Sequence, residues 1–292
     1  MMEHRRELDR QLDELTASFG GELALYVKNL GTGEVIERDA DAIFPTASCI
    51  KVFILLELMR RVAVGEFALQ QTIPVLPEQQ VGGSGVLKDL TAGTKLPLRD
   101  VATLMIVLSD NTATNMLIDL LSLTAINATI RSLGLQHTRL ISKVDFEAIG
   151  SDITRFAVST AREFAQALEQ VALGTFVNRS ACDTIIGIME RQQYLDLLPR
   201  CLPYNPYARE LKLPQTLRVA NKTGFFSGVR CDTALLFLPR STLVAAALTR
   251  GCPDQSFSAD NEAAVFLGRI GRTIYDYFMK QKDGPRAAPP AA

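Results

Sequence analysis

Histidine is almost missing from this chain: His4 and His137 are the only two. A zinc site assembled from several histidines is therefore excluded, and a Ser-His-Asp arrangement has almost no candidate base. No metal or cofactor is expected. There is no Cys-x-x-Cys pair, and the five cysteines (Cys49, Cys182, Cys201, Cys231, Cys252) are an odd number. They read as reduced, mostly buried thiols rather than a disulfide framework. Neither sign of charge prevails, with 31 Lys and Arg against 32 Asp and Glu. That balance argues against nucleic acid or an anionic membrane as a partner and leaves a small-molecule substrate. A monomer is expected. Long apolar runs are also missing: charge-free stretches such as 101–109 are too short to span a bilayer. The charged residues 1–8 have no apolar run behind them. No secretory signal is visible, so the cytoplasm is expected, or the periplasm or exterior if a leader was trimmed.

What remains is 292 residues, 47% apolar, enough for one large or two small domains with a sizeable core. Residues 5–19 read as an amphipathic helix with Leu8, Leu12, Leu15 and Phe19 on one face. Strand patterns follow at 22–29 and 34–38, split by the turn Gly31-Thr32-Gly33. Helical patterns occupy 48–64, 98–108, 111–121, 123–133 and 160–173. Short apolar runs at 217–222, 231–238 and 243–249 return to strand character, and 263–278 ends in a helix. Strands from both ends most simply pair into one antiparallel sheet with a helical lobe inserted, an α+β fold. The expected division is 1–47 with 203–282 as an α/β lobe, 48–202 as the helical lobe, and 283–292 as a disordered tail.

Three short motifs stand out: Ser48-Cys49-Ile50-Lys51, Ser109-Asp110-Asn111 and Lys222-Thr223-Gly224. Ser-x-x-Lys alone is weak, since a chain this long holds about one by chance. Each tripeptide is expected only ~0.05 times, so all three together are hard to assign to chance. The residue types form a chemical set. A serine hydroxyl is a poor nucleophile until a base removes its proton. Ser48 and Lys51 are three apart at a helix start and share a face. Lys51 can be that base only when neutral, and burial plus a second cation, Lys222, both push that way. Ser109 can relay a proton to a leaving nitrogen. Asn111 can hold a substrate amide, and Lys222 and Thr223 can pair with a substrate carboxylate. Gly224 lets a strand edge come close, so the N–H groups of Phe225 and Ser48 can form an oxyanion hole.

With these motifs, the chain resembles class A β-lactamases, serine hydrolases that share their fold with penicillin-binding proteins. The likeness runs from about residue 22 to 277 and includes Phe44-Pro45-Thr46-Ala47, Gly83-Ser84-Gly85-Val86-Leu87 and the stretch 104–115. It implies a β-lactamase/transpeptidase-like fold with a cleft between two lobes. It also implies acylation of Ser48 by a β-lactam or a related amide or ester. Two departures stand out. The family's loop glutamate, followed four residues on by asparagine, has no counterpart in 138–152, a loop about five residues short. Asp145 or Glu147 is a candidate substitute for that water-activating base. The stretch 192–203 is roughly ten residues longer than in the family and is expected at the cleft rim. Losing one general base typically costs ~10²–10⁴ in rate, so deacylation is expected to be weak or rerouted.

Simpler roles stand beside these. Ser109-Asp110-Asn111 also reads as a helix cap. Arg230 could meet a substrate carboxylate bidentately or sit in a surface ion pair. Cys49 reads as packing and His137 as a loop residue, while Asp152 is expected to pin its loop by pairing with Arg139. Besides a β-lactamase, the readings are a D,D-peptidase of penicillin-binding-protein type, a cytoplasmic esterase, amidase or transacylase, and a non-catalytic β-lactam sensor.

Overall fold

The computed structural model describes residues 2–208 and 210–280. The expected tail at 283–292 lies outside the described residues. From the N-terminus, α1 (Met2–Ala17) leads into β1 (Glu22–Asn29), β2 (Val35–Arg38) and the two-residue β3 (Phe44–Pro45). A 3-10 turn, Ala47–Ile50, opens into α2 (Lys51–Ala63), followed by the small hairpin β4 (Thr72–Pro74) and β5 (Lys95–Pro97). Then come α3 (Leu98–Val107), α4 (Asn111–Leu121) and α5 (Leu123–Ser132). The middle closes with β6 (Arg139–Leu140), α6 (Phe146–Ile149), β7 (Ala157–Ser159), α7 (Ala161–Leu173) and α8 (Arg179–Met189). The last elements are β8 (Arg218–Phe226), β9 (Val229–Phe237), β10 (Thr242–Arg250) and α9 (Glu262–Lys280).

The main sheet is antiparallel in the order β2–β1–β10–β9–β8, so strands from the two ends of the chain join at β1–β10 and β8 is an edge. Both faces are covered, and the two-residue period of a strand divides its side chains between two cores. In β1, Leu23, Leu25 and Val27 enter one core, while Ala24 and Tyr26 enter the other. In β10, Leu243, Ala245 and Ala247 alternate in the same way with Val244, Ala246 and Leu248. The first core is closed by α1 and α9, through Leu8, Leu12, Leu267 and Ile270, with the rings of Phe19 and Phe266 stacked at 4.2 Å. The second core holds the helices of the middle of the chain. At its centre α2 is buried from Lys51 through Met59 without interruption. Such a nearly apolar helix belongs in a core, with its buried acid Glu57 paired to Arg60 and Arg61, and it carries its first residue, Lys51, in with it.

Two boundaries differ from expectation. The helix expected from Ser48 begins as the 3-10 turn and becomes α-helical only at Lys51. Strand β8 runs four residues past Lys222, because its hairpin with β9 turns at Ser227 and Gly228. Helix α8 was not expected: Thr184, Ile185, Ile186, Gly187 and Ile188 favour strand or break a helix, yet Asn178 caps it and its apolar side is buried.

Leu267 is fully buried between α9 and the sheet. Leu267→Ala should lower the unfolding free energy by about 2–5 kcal/mol, read from the urea midpoint. A loss below about 1 kcal/mol would contradict the packing described.

Candidate active site

The three motifs meet at one place. Ser48 sits half-buried on the 3-10 turn, facing a cavity of about 580 Å³. The residue before it, Ala47, has φ 42°, and Ser109 has φ 52°. Left-handed backbone at a non-glycine residue costs roughly 1–3 kcal/mol and clusters where geometry serves chemistry. Both strained residues belong to motif segments.

Lys51 is completely buried. Its Nζ lies 2.7 Å from Ser109 O, 2.9 Å from Asn111 Oδ1 and 3.2 Å from Ser109 Oγ. A neutral amine has two N–H groups and one lone pair. Two carbonyl oxygens accept from it, and the Ser109 hydroxyl can either accept from the amine or donate to its lone pair. Burial, and then the nearby Lys222 charge, hold the Lys51 amine well below its ordinary value. Asp110 caps α4 by accepting from Ala113 N at 2.8 Å, so the motif does serve as a cap. Its other oxygen accepts from Val86 N (2.7 Å) and Leu87 N (2.9 Å). A Cβ on Gly85 would fall 2.2 Å from this carboxylate, and φ there is +97°, so only glycine fits. Asn111 completes the tether, its Nδ2 donating to Gly82 O at 3.0 Å and its backbone N–H to Ser84 O at 3.0 Å. Both ends of the Asn111 amide are therefore engaged before any substrate arrives.

The free edge of β8 presses on the 3-10 turn. A Cβ on Gly224 would lie 2.6 Å from Thr46 O and 3.0 Å from Ser48 N. Glycine is what lets Phe225 and Ser48 present neighbouring backbone. Lys222 and Thr223 are fully buried and do not line the cavity. Lys222 Nζ donates to Thr223 O at 2.6 Å, and burial brings its amine down to about 8. Thr223 Oγ1 has no partner among the described residues. Cys49 is packing, as expected, its thiol donating to Lys222 O. Beside them Asp232, on β9 opposite Thr223, accepts from Asn221 Nδ2 (3.0 Å) and Leu198 N (3.1 Å). Burial pushes its carboxyl up to about 8.

Arg230 takes neither expected role. It is buried, its Nη1 donates to Phe226 O (2.7 Å) and Val229 O (2.8 Å), and its Nη2 donates to Ser256 O. Its guanidinium lies over the rings of Phe225 and Phe257 at 5.3 and 4.9 Å, so it orders two aromatic residues of the cavity wall. The loop expected to lack a base turns an apolar wall to the cavity, with Val144, Phe146, Ile149, Ile153 and Phe156. Asp145 instead caps α6, accepting from Glu147 N and Ala148 N, and Glu147 is exposed; neither lines the cavity. Asp152 pairs with Arg155 at 3.7 Å rather than with Arg139. The long segment after α8 does reach the rim. Gln192 is buried, donating to Ile106 O and Asn221 O while accepting from Tyr194 N; Tyr194 and Asp196 both line the cavity. Sequence reasoning missed Asp196 and Asp232; Asp196 lay within the flagged long stretch. Among the described residues no three His, Cys, Asp or Glu side chains cluster to hold a metal.

Two outcomes follow from this geometry. Gly224→Ala should slow labelling of Ser48 by a penicillin at least tenfold with the fold retained, because the methyl group meets backbone rather than a yielding side chain. Unchanged labelling would mean that the edge contact is dispensable. Asp232 ionises at its ordinary 3.8 when unfolded and at about 8 when folded. Between those values the folded state holds the extra proton, so stability falls as pH rises. Asp232→Asn removes that titration, and urea melts should show the variant gaining on the parent from pH 4 to 8; a constant gap would contradict it.

In comparisons with known proteins, residues 7–278 match the family described as "Beta-lactamase enzyme family". No curated protein matches the chain by sequence. Among solved structures, a β-lactamase of Sphaerobacter thermophilus is 28% identical, over 97% of this chain and 98% of that one, with a TM-score of 0.82. PBP-A is 26% identical over 94% and 96%, with a TM-score of 0.80; a leucine-to-glutamate mutant of it was solved as an acyl-enzyme with penicillin G. A class A β-lactamase of Mycobacterium abscessus, 22% identical, shares the fold with a TM-score of 0.79. Family match, sheet order and the meeting of the three motifs agree: the chain belongs to the β-lactamase enzyme family.

Proposed function

We propose that the protein is an acyl-serine enzyme that takes its acyl group from an amide or ester and releases it slowly to water. Ser48 Oγ attacks the carbonyl carbon while the neutral Lys51 amine takes the hydroxyl proton. The N–H groups of Ser48 and Phe225 hold the oxyanion. Ser109 passes a proton to the departing nitrogen or oxygen as the carbonyl bond breaks. Lys222 supplies positive charge behind the site and keeps Lys51 deprotonated. The observation that carries this reading is the buried Lys51 amine, bonded to Ser109 O and Oγ and to Asn111 Oδ1. A lysine kept only for surface charge would not be enclosed there.

Deacylation is the weak half. Water attack needs a positioned base; the loop that carries one in class A enzymes offers apolar side chains here, and the one carboxylate lining the cavity, Asp196, stands in the 192–203 segment instead. An apolar wall favours acyl transfer to an acceptor other than water, or persistence of the adduct as in a penicillin-binding protein. Loss of a positioned base predicts hydrolysis slower by ~10²–10⁴ than in an enzyme that has one.

Incubation with benzylpenicillin, followed by intact-mass measurement over time, tests both halves. The adduct should form on the parent, be absent from Ser48→Ala and persist long after excess penicillin is removed. An adduct on Ser48→Ala, or none on the parent, would overturn the acyl-serine reading. Rapid loss of the adduct would overturn the slow-release half.

A further inference from the structure

The loop over residues 144–156 is tied to the surroundings of Ser48 at both ends and in between. Asn115, four residues past Asn111 on α4, accepts from Val144 N at 2.9 Å and donates to Val144 O at 3.0 Å. At the other end, Thr46 N donates to Ala157 O at 3.3 Å, so Phe156 adjoins a residue bonded two positions before Ser48. In the middle, Gly83 separates Asn111 from Phe146. A Cβ on Gly83 would lie 2.8 Å from Asn111 Nδ2 and 3.1 Å from the Phe146 ring. The loop is therefore a fixed wall, held on the Ser48 side and on the Asn111 side of one cavity.

That wall turns only Val144, Phe146, Ile149, Ile153 and Phe156 to the cavity. Four of them are buried and form a floor, and Phe146, at 44% exposed, is its lip. None of these side chains can hydrogen-bond, so a polar group pressed against them gives up water without compensation. An apolar group gains there, and a wall already fixed costs little ordering when it binds. The cavity, about 580 Å³, is the size of a small-molecule site. A carbonyl carbon bonded to Ser48 Oγ has three directions to fill. Its oxygen takes the N–H groups of Ser48 and Phe225, its leaving group takes the Ser109 side, and its carbon chain takes the side that remains.

We propose that the 144–156 wall is an acyl-chain pocket, and that the acyl donors are esters or amides of carboxylic acids that are apolar from the α-carbon onward. This rests on the acyl-serine reading and concerns the acyl half alone; a carboxylate on the leaving half, as in a penicillin, is compatible with it. The test uses 4-nitrophenyl acetate, butyrate and hexanoate with the full chain. In each, the Oγ–C bond to Ser48 forms and the C–O bond to nitrophenol breaks, while the hydroxyl proton passes by Lys51 and Ser109 to the departing oxygen. Nitrophenol release gives kcat/KM, corrected for each ester's spontaneous hydrolysis, and intact mass reports the adduct, which Ser48→Ala should lack. A fully buried methylene is worth roughly fourfold, and hexanoyl has four more than acetyl. Burying about two of them gives a hexanoate-to-acetate ratio of about tenfold or more. Phe146→Ser and Ile153→Thr should each lower that ratio about threefold, and Phe146→Leu should keep it. A ratio below tenfold on the parent, or one unchanged in both Phe146→Ser and Ile153→Thr, would overturn the pocket and leave the acyl-serine reading standing. If no ester modifies Ser48, the acyl-serine reading fails, and NMR titration of Ser48→Ala with hexanamide and acetamide decides the pocket alone. Hexanamide binding about tenfold tighter than acetamide would uphold it, and equal binding would overturn it.

Discussion

Two lysine amines lie fully buried within reach of each other's charge, and the site depends on how that cost is met. Burying an ammonium is expensive, and a second one nearby raises the expense. The fold answers in two ways. It surrounds Lys51 with two carbonyl acceptors and a hydroxyl, so every N–H of the buried amine finds a partner. It places Asp232 within electrostatic reach of Lys222, with a carboxyl whose own ionisation is held back by burial. Charge is thus reduced on both sides rather than accumulated. The backbone strain at Ala47 and Ser109 belongs to the same arrangement, since both are fixed by segments that build this pocket.

Around that pair the structure treats the two halves of an acyl-serine cycle differently. The segments that the proposed acylation would use are tied through backbone groups: the β8 edge against the 3-10 turn, and Asp110 against Val86 N and Leu87 N. The loop that would serve deacylation carries apolar side chains where it meets the cavity. Asp145, the acid nearest in sequence, is consumed in capping a single helical turn. Under the proposed acyl-serine chemistry, a rigid nucleophile side facing an apolar loop would favour capture of an acyl group over its release to water.

Much of this was legible in the residues. The strands of the main sheet were readable as short apolar runs between turn residues, and the motif helices by their apolar spacing and caps. Gly224 was readable as a point of close approach because a residue with no side chain closes the Lys222-Thr223-Gly224 motif. Other features were invisible for physical reasons. Helix α8 hides behind β-branched residues whose local preference is strand, and only its buried side and Asn178 cap rescue it. Arg230 looked like an anion ligand because arginine usually is one, yet burial turned its donors onto backbone carbonyls. Asp196 carries no motif at all. It becomes notable only when Gln192 and Leu198 anchor its segment beside aromatic residues from four separate stretches of the chain.

The protonation of one amine decides the account most directly. Heteronuclear NMR on protein with ε-labelled lysine, assigned through Lys51→Ala, would follow that side chain across pH. The prediction is an uncharged Lys51 well below its ordinary 10.5, with the titration moving upward when Lys222 is replaced by alanine. A Lys51 signal that titrates near 10.5, and does not move when Lys222 is removed, would contradict it.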